Sequence, residues 1–578
     1  MTGSTEFQLI CTILFGLLAA VGTATVKDRI KLDGDVTVEG LFRIYEKEAG
    51  ICSTKISVHS VMTAEAVKWY FDQLNAAGKV PVKIGFEVQN TCGLPYMASE
   101  AAVEILSGIL SRTSNKTVIG VLGPEYSSEA IHVSRIFSSV HEQDRLLQVG
   151  FSTTAALLAD ATAFPNFIRV IPNDVVQIEV MIQSMQSMQW NMIAIIYEND
   201  VYSREGALLL KTRAEEIGIC VSLLLESKIE NMHYLIHDII NSNHENVTAI
   251  VYFGAMFRAE STVIPSQQNK FNKSPILMFS EGINMDPDVF ISRKKEVVNI
   301  GKGSYTVTPT YRNVDEFRKH WYTIFSNRTK FEQESLTNPW LFDVYRKIAG
   351  CVDTNCPFTP KDADTVDKIF TAQPLFIQYA IIGAHAFAKA IKIIQARRCG
   401  IQNGVCKELD DRFRQGHVIE EMKNNMDLDF EKDFLWTPNC FRDVVLRINS
   451  SGELNVLPGQ VLYELYNFQP VNQSTFRFAK IGKYINEEIN VSLANIRDID
   501  HSGKPVAWPN VRKGQCTTGK ICSGCLSKIG NIDDYLIDYG DVYVIASLPI
   551  SEKSGLQGCG NVRTQNGYQL IEAYKICN

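Results

Sequence analysis

Between residues 36 and 279 the chain repeats one pattern, a short continuous apolar run followed by a longer stretch with helical spacing. The runs Val36–Tyr45, Val82–Val88, Val118–Leu122, Leu146–Phe151, Phe167–Ile171, Met192–Tyr197, Cys220–Leu225, Ala249–Phe253 and Ile276–Phe279 are the strand candidates. Thr63–Asn75, Met97–Leu110, Ser128–Ser138, Val175–Met188 and Ser203–Ile217 are the helix candidates. Strands that are apolar throughout, rather than alternating, are buried on both faces, and intervening helices supply the cover. The pattern predicts an α/β fold of parallel, doubly wound sheets. There are too many such units for one sheet, and 578 residues exceed the size at which one core stops growing. Two doubly wound lobes forming a clamshell, with a cleft between them, satisfy both limits.

Composition narrows the function. The 45% apolar and 21% charged fractions are those of an ordinary folded protein. A formal charge of -7 without clustered Lys and Arg argues against a nucleic-acid partner. No HExxH, GxSxG, P-loop or GxGxxG pattern stands in a suitable strand-turn-helix context, so the chain does not read as an enzyme and no cofactor is expected.

The apolar run Leu9 to Ala20, followed by Gly22, Thr23 and Ala24, reads as a signal peptide spanning residues 1–24. No later run reaches the roughly 18 apolar residues of a membrane span. As written, the mature chain therefore reads as exported and soluble. Of 14 cysteines Cys11 leaves with the signal, and the remainder suggest disulfides in an oxidising compartment. Sequons at Asn115, Asn246, Asn272, Asn327, Asn449, Asn472 and Asn490 add weak support for export.

One set of residues recurs. Asp35-Val36, Val38, Glu46-Lys47, Cys52 and Glu65-Ala66-Val67-Lys68 return as Asp541-Val542, Val544, Glu552-Lys553, Cys559 and Glu572-Ala573-Tyr574-Lys575. Residues 541–578 thus read as the start of a second, incomplete module. Residues 496–540, with Cys516, Cys522 and Cys525, read as a short cysteine-rich connector. Its lone CxxC lacks the second pair a zinc site needs, so a structural disulfide knot is expected and no metal.

Ligands of doubly wound sheets bind beyond the carboxyl ends of strands. Here those ends carry Gly123-Pro124-Glu125-Tyr126-Ser127-Ser128, Ser152-Thr153-Thr154, Asn173-Asp174, Glu198 with Tyr202, and Ser280-Glu281. Hydroxyl donors cluster on the earlier ends, and carboxylates with a phenol on the later ones. A zwitterion needs that division, donors for its carboxylate and acids with a ring face for its ammonium.

These residues, with Asp28-Arg29-Ile30-Lys31-Leu32-Asp33-Gly34-Asp35, Asn90-Thr91-Cys92 and Arg169-Val170-Ile171-Pro172, resemble the Venus-flytrap ectodomain of class C G-protein-coupled receptors, the metabotropic glutamate group most closely. The resemblance covers roughly Lys27 to Ser492. It implies a ligand-binding domain over 27–495, with lobe 1 at about 27–170 and 308–445 and lobe 2 at about 171–307 and 446–495. It implies that Ser127, Ser152 and Thr154 bind an α-carboxylate, and that Asp174, Tyr202 and Glu281 hold an α-amino group.

Where glutamate receptors carry basic residues for the distal carboxylate, this chain has Thr63, Gln373 and Asp286. A distal carboxylate left without a cation there would cost several kcal/mol. A neutral or basic amino acid is therefore expected rather than glutamate, with Asp286 a candidate partner for a basic side chain. The resemblance also pairs Cys52 with Cys92, Cys351 with Cys356 and Cys399 with Cys406, and directs Cys220 toward the cluster at 516–525. Cys440 has no mate. A dimer through lobe 1 is implied, noncovalent at the loop Arg112–Lys116, which carries no cysteine.

The expected product is thus a receptor-like protein, secreted or on the extracellular face of the plasma membrane, that closes on an amino-acid-like ligand. Membrane contact would come only through segments outside this chain. A soluble binding or decoy protein of the same fold, and an enzyme using the cleft, are the alternatives.

Overall fold

The computed structural model describes residues 28–499 and 505–507, apart from 79, 81, 112–115, 228–246, 256, 258–275, 284, 286, 291–300, 352–355, 371–375, 401–403, 411–415, 435, 457 and 472–474. The expected signal peptide, most of the connector, the recurrence at Asp541, and Gln373 and Asp286 lie outside the described residues.

Two sheets carry the fold. The first has six strands in the order Ile30–Leu32, Ile84–Asn90, Val36–Phe42, Val118–Leu122, Gln148–Gly150 and Phe167–Arg169. All pair in parallel except Ile30–Leu32, which runs antiparallel at the edge. The second has eight, in the order Cys220–Ser227, Met192–Glu198, Ala249–Phe253, Ile276–Phe279, Tyr305–Pro309, Val461–Pro470, Phe476–Ile485 and Glu488–Val491. Its first five are parallel and the last three antiparallel. Every expected strand is present, and Val36–Phe42, Met192–Glu198 and Ala249–Phe253 are buried at each position, as strands covered on both faces must be.

One expected strand divides. Val36–Tyr45 stops at Phe42, and Tyr45–Glu48 turns back on Ile51–Ile56 as a separate hairpin. Ala49 and Gly50 make that turn with positive φ values of 49° and 78°, the left-handed pair that tight hairpins demand.

The helix Phe376–Arg397 is long and apolar enough to cross a membrane, yet most of it is buried. It lies close over the first sheet because glycines face the contact from both sides. A Cβ on Gly120 would stand 2.7 Å from the Phe387 ring, and one on Gly383 2.7 Å from Leu122. The helix Val58–Ala76 packs beside it, joining the same core through Val61, Tyr70 and Phe71.

The chain crosses between lobes three times, after Arg169, after Pro309 and after Val456. The third crossing falls about ten residues later than expected from the sequence. Met426–Asp429, Val445–Ile448 and Leu454–Val456 form a small antiparallel sheet whose Leu428, Leu446, Ile448 and Leu454 join the first core. Disulfides join Cys52 to Cys92, Cys351 to Cys356 and Cys399 to Cys406. Cys220 is also disulfide-bonded, to a partner outside the described residues, and Cys440 is free.

Candidate functional site

The carboxyl ends of both sheets meet at one place. Strand Val118–Leu122 runs through Gly123, whose φ of 101° and close approach to the Leu41 carbonyl (2.3 Å from an added Cβ) admit only glycine. The helix Ser127–Ser138 follows. The Ser127 hydroxyl accepts the backbone N–H of Ala155 at 3.3 Å, tying this loop to the next strand end. Ser152 donates to the Glu125 carbonyl at 2.7 Å. Both serines thus line the first lobe's rim, with Ser152 committed to its own lobe.

Thr154 reaches across. Its hydroxyl donates to Oε1 of Glu281 in the second lobe at 3.0 Å, and its carbonyl accepts the N–H of Asp174 at 2.8 Å. Asp174 opens the helix Asp174–Ser187, which Asn173 caps by accepting the N–H groups of Val175 and Val176. One turn on, Gln177 joins the two acids. Its Nε2 donates to Asp174 Oδ1 at 2.9 Å, and its Oε1 accepts the N–H of Glu281 at 2.7 Å. Tyr202, near the start of the helix Val201–Glu216, leans on Phe253 with ring centroids 5.1 Å apart. The lobes also meet where Val201 packs against the cluster containing Ala130, Ile131 and Leu158.

Thr154, Asp174 and Glu281 are each no more than 3% exposed. Burial, then the neighbouring Glu281, raises the Asp174 carboxyl well above its usual range. Burial pushes Glu281 up to about 7, against hydrogen bonding from Thr154 and Tyr202. Arg169 is the nearby cation, but its guanidinium is held by Glu453 Oε1 at 2.9 and 3.1 Å and by the carbonyls of Thr153 and Ala155. Asp174 Oδ2, Glu281 Oε2 and the Tyr202 hydroxyl are buried without a well-formed hydrogen bond. Two like charges confined in a low dielectric repel by several kcal/mol, so the pair must hold a proton or attract a cation. Chemically, the arrangement can take up a proton or a cation.

Of the six expected site residues, Thr154, Asp174, Tyr202 and Glu281 surround this point, while Ser127 and Ser152 stand on its rim. Gln177 was not anticipated, although its place three residues after Asp174 on a helix was a usable signal. Thr63 is buried in the helix Val58–Ala76, where its hydroxyl donates to the His59 carbonyl at 2.9 Å. Elsewhere among the described residues, Glu65, His320 and Glu334 approach closely enough to ligate an ion, but Lys68 already binds both acids, at 3.2 and 2.7 Å.

Comparison with known proteins places residues 62–345 in a family described as the receptor family ligand binding region. Curated relatives include the metabotropic glutamate receptor of Drosophila melanogaster, 20% identical over 79% of this chain and 51% of its own. Taste receptor type 1 member 3 of Rattus norvegicus is 26% identical over 34% of this chain and 25% of its own. The Homo sapiens protein of that name is 24% identical over 41% and 30%. The chain therefore spans about half the length of the first of these relatives.

Proposed function

This chain carries a receptor-family ligand-binding region of the Venus-flytrap type of class C G-protein-coupled receptors, and from that premise we propose that it binds an α-amino acid between its lobes. In this reading Asp174, Tyr202 and Glu281 hold the ammonium, while Ser127, Ser152 and Thr154 hold the carboxylate. The observation that carries it is the acidic pair itself. Asp174 and Glu281 are buried, joined through Gln177, and each keeps one oxygen without a well-formed hydrogen bond. An ammonium ion meets that demand with charge and hydrogen bonds together.

The ligand is not glutamate. Thr63 offers a hydroxyl spent on its own helix where a distal carboxylate would need a cation. Binding favours the closed clamshell because the groups that hold the ligand come from both lobes, and closure is the step passed to the rest of an extracellular receptor. Dimerisation through lobe 1 belongs to the same proposal.

Calorimetric titration of the twenty L-α-amino acids against the purified chain tests this. At least one neutral or basic amino acid gives a saturable isotherm, glutamate is weaker, and Asp174→Asn abolishes the heat. Silence throughout, or an Asp174→Asn isotherm like the wild type, would sink the reading.

A further inference from the structure

Tyr463 stands just after the third crossing, in the strand Val461–Pro470, paired with Pro309 on one side and Tyr484 on the other. It is fully buried, with its ring in the second lobe's core, yet its hydroxyl has no hydrogen-bond partner. Phenylalanine would fill the same core space without an unsatisfied polar atom, so the hydroxyl calls for another explanation.

Its surroundings point to one. The strand packs against the helix that begins at Asp174, and its neighbour Tyr305–Pro309 packs against the turn that begins at Glu281. Burial first, then the Glu281 and Asp174 carboxylates, keep the phenol protonated, with Tyr379 adding to them and Arg169 opposing. The Tyr463 hydroxyl, within electrostatic reach of both acids, is thus buried without a well-formed hydrogen bond, as are the Tyr202 hydroxyl, Asp174 Oδ2 and Glu281 Oε2.

The hydrogen-bond count fits a primary ammonium. It offers three N–H donors, of which the two carboxylate oxygens take two, and a neutral oxygen must take the third. One phenol accepts that bond, and both phenolic protons turn to the remaining carboxylate lone pairs. We propose that Tyr463 is a ligand-binding residue which, with Tyr202, completes the ammonium cage and selects primary amino groups over N-methylated ones. This rests on the amino-acid reading above. N-methylation removes one donor and sets a methyl group against an oxygen that has no other partner.

The test uses the full chain and the amino acid that binds most tightly in the twenty-member screen, together with its N-methyl derivative. Both are titrated calorimetrically into wild type, Tyr463→Phe and Tyr202→Phe, and the melting temperature of each protein is recorded without ligand. Tyr463→Phe is expected to melt at or above the wild-type temperature, to bind the parent amino acid about tenfold more weakly, and to discriminate less against the N-methyl form. Unchanged affinity in Tyr463→Phe, or a lower melting temperature with affinity intact, makes the hydroxyl structural and overturns the inference. Wild-type protein that binds both forms equally overturns it too. In those cases the amino-acid reading survives if Asp174→Asn still abolishes binding. If wild type binds none of the twenty, that reading fails and the role of Tyr463 falls with it.

Discussion

The Thr154 hydroxyl donates to Glu281 Oε1 across the cleft at 3.0 Å, while the Thr154 carbonyl accepts the Asp174 N–H at 2.8 Å. A single first-lobe residue thereby touches both members of the acidic pair. The hydroxyl bond exists only while the lobes are together, so it favours the shut form.

Thr154→Val keeps the shape and removes the donor. Loss of a hydrogen bond to a charged group is worth about 1.5–3 kcal/mol, so amino-acid affinity should fall about tenfold or more. Small-angle scattering of the ligand-free variant should give a larger radius of gyration than wild type. No change in either quantity would remove Thr154 from the proposed closing mechanism.

The proton on the acidic pair gives a pH signature. Glu281 titrates at about 7 in the folded protein against 4.5 as its ordinary value, so the folded state holds a proton that the unfolded chain releases. That contribution to stability is complete below about pH 4.5 and is lost as pH rises through about 7. Glu281→Gln imitates the protonated form and should therefore gain melting temperature relative to wild type from about pH 5 to about pH 8. A gap that stays flat, or moves the other way, contradicts the assignment.

Two disulfides differ in the loop they close. Cys52 and Cys92 are 40 residues apart, and Cys351 and Cys356 only 5. Chain entropy assigns about 4 kcal/mol to the first and about 2 kcal/mol to the second. Calorimetric unfolding of the Cys52→Ser/Cys92→Ser and Cys351→Ser/Cys356→Ser proteins should rank them in that order. Equal losses would mean that native-state packing, not loop closure, governs both.

In the first lobe, burial opposes charge on Glu65, yet Lys68, His320 and Asn338 hold its carboxyl down at about 2. Lys68 also binds Glu334. Lys68→Met leaves two buried acids facing each other and should cost about 3–5 kcal/mol, read as a drop in denaturant midpoint. Adding Glu65→Gln should restore part of it, and a double variant no more stable than the single one would refute the charge argument.

Much of this was legible in sequence because both central sheets are covered on two faces. Uninterrupted apolar runs such as Ala249–Phe253 then mark strands without ambiguity, and their carboxyl ends mark the cleft. Thr154, Asp174, Tyr202 and Glu281 were found by that route, and the structure gathers them. What escaped lies in pairings distant in sequence. Leu446, Ile448 and Leu454 alternate with polar residues, so they gave no sign of belonging to the first core. Arg169 meets Glu453, 284 positions away, and no local pattern foretells such a bond. Tyr463 escaped because an aromatic residue in a strand ordinarily signals packing alone.

Cys220 begins the outermost strand of the second sheet, four strands from Tyr305–Pro309, where the chain passes between lobes. At about 4.8 Å per strand, that edge stands about 19 Å from Tyr305–Pro309. In the closure proposed above, a point on the second lobe moves further the farther it lies from the axis of rotation. On that proposal, with the axis near the passages between lobes, the disulfide at Cys220 sits at the long end of a lever.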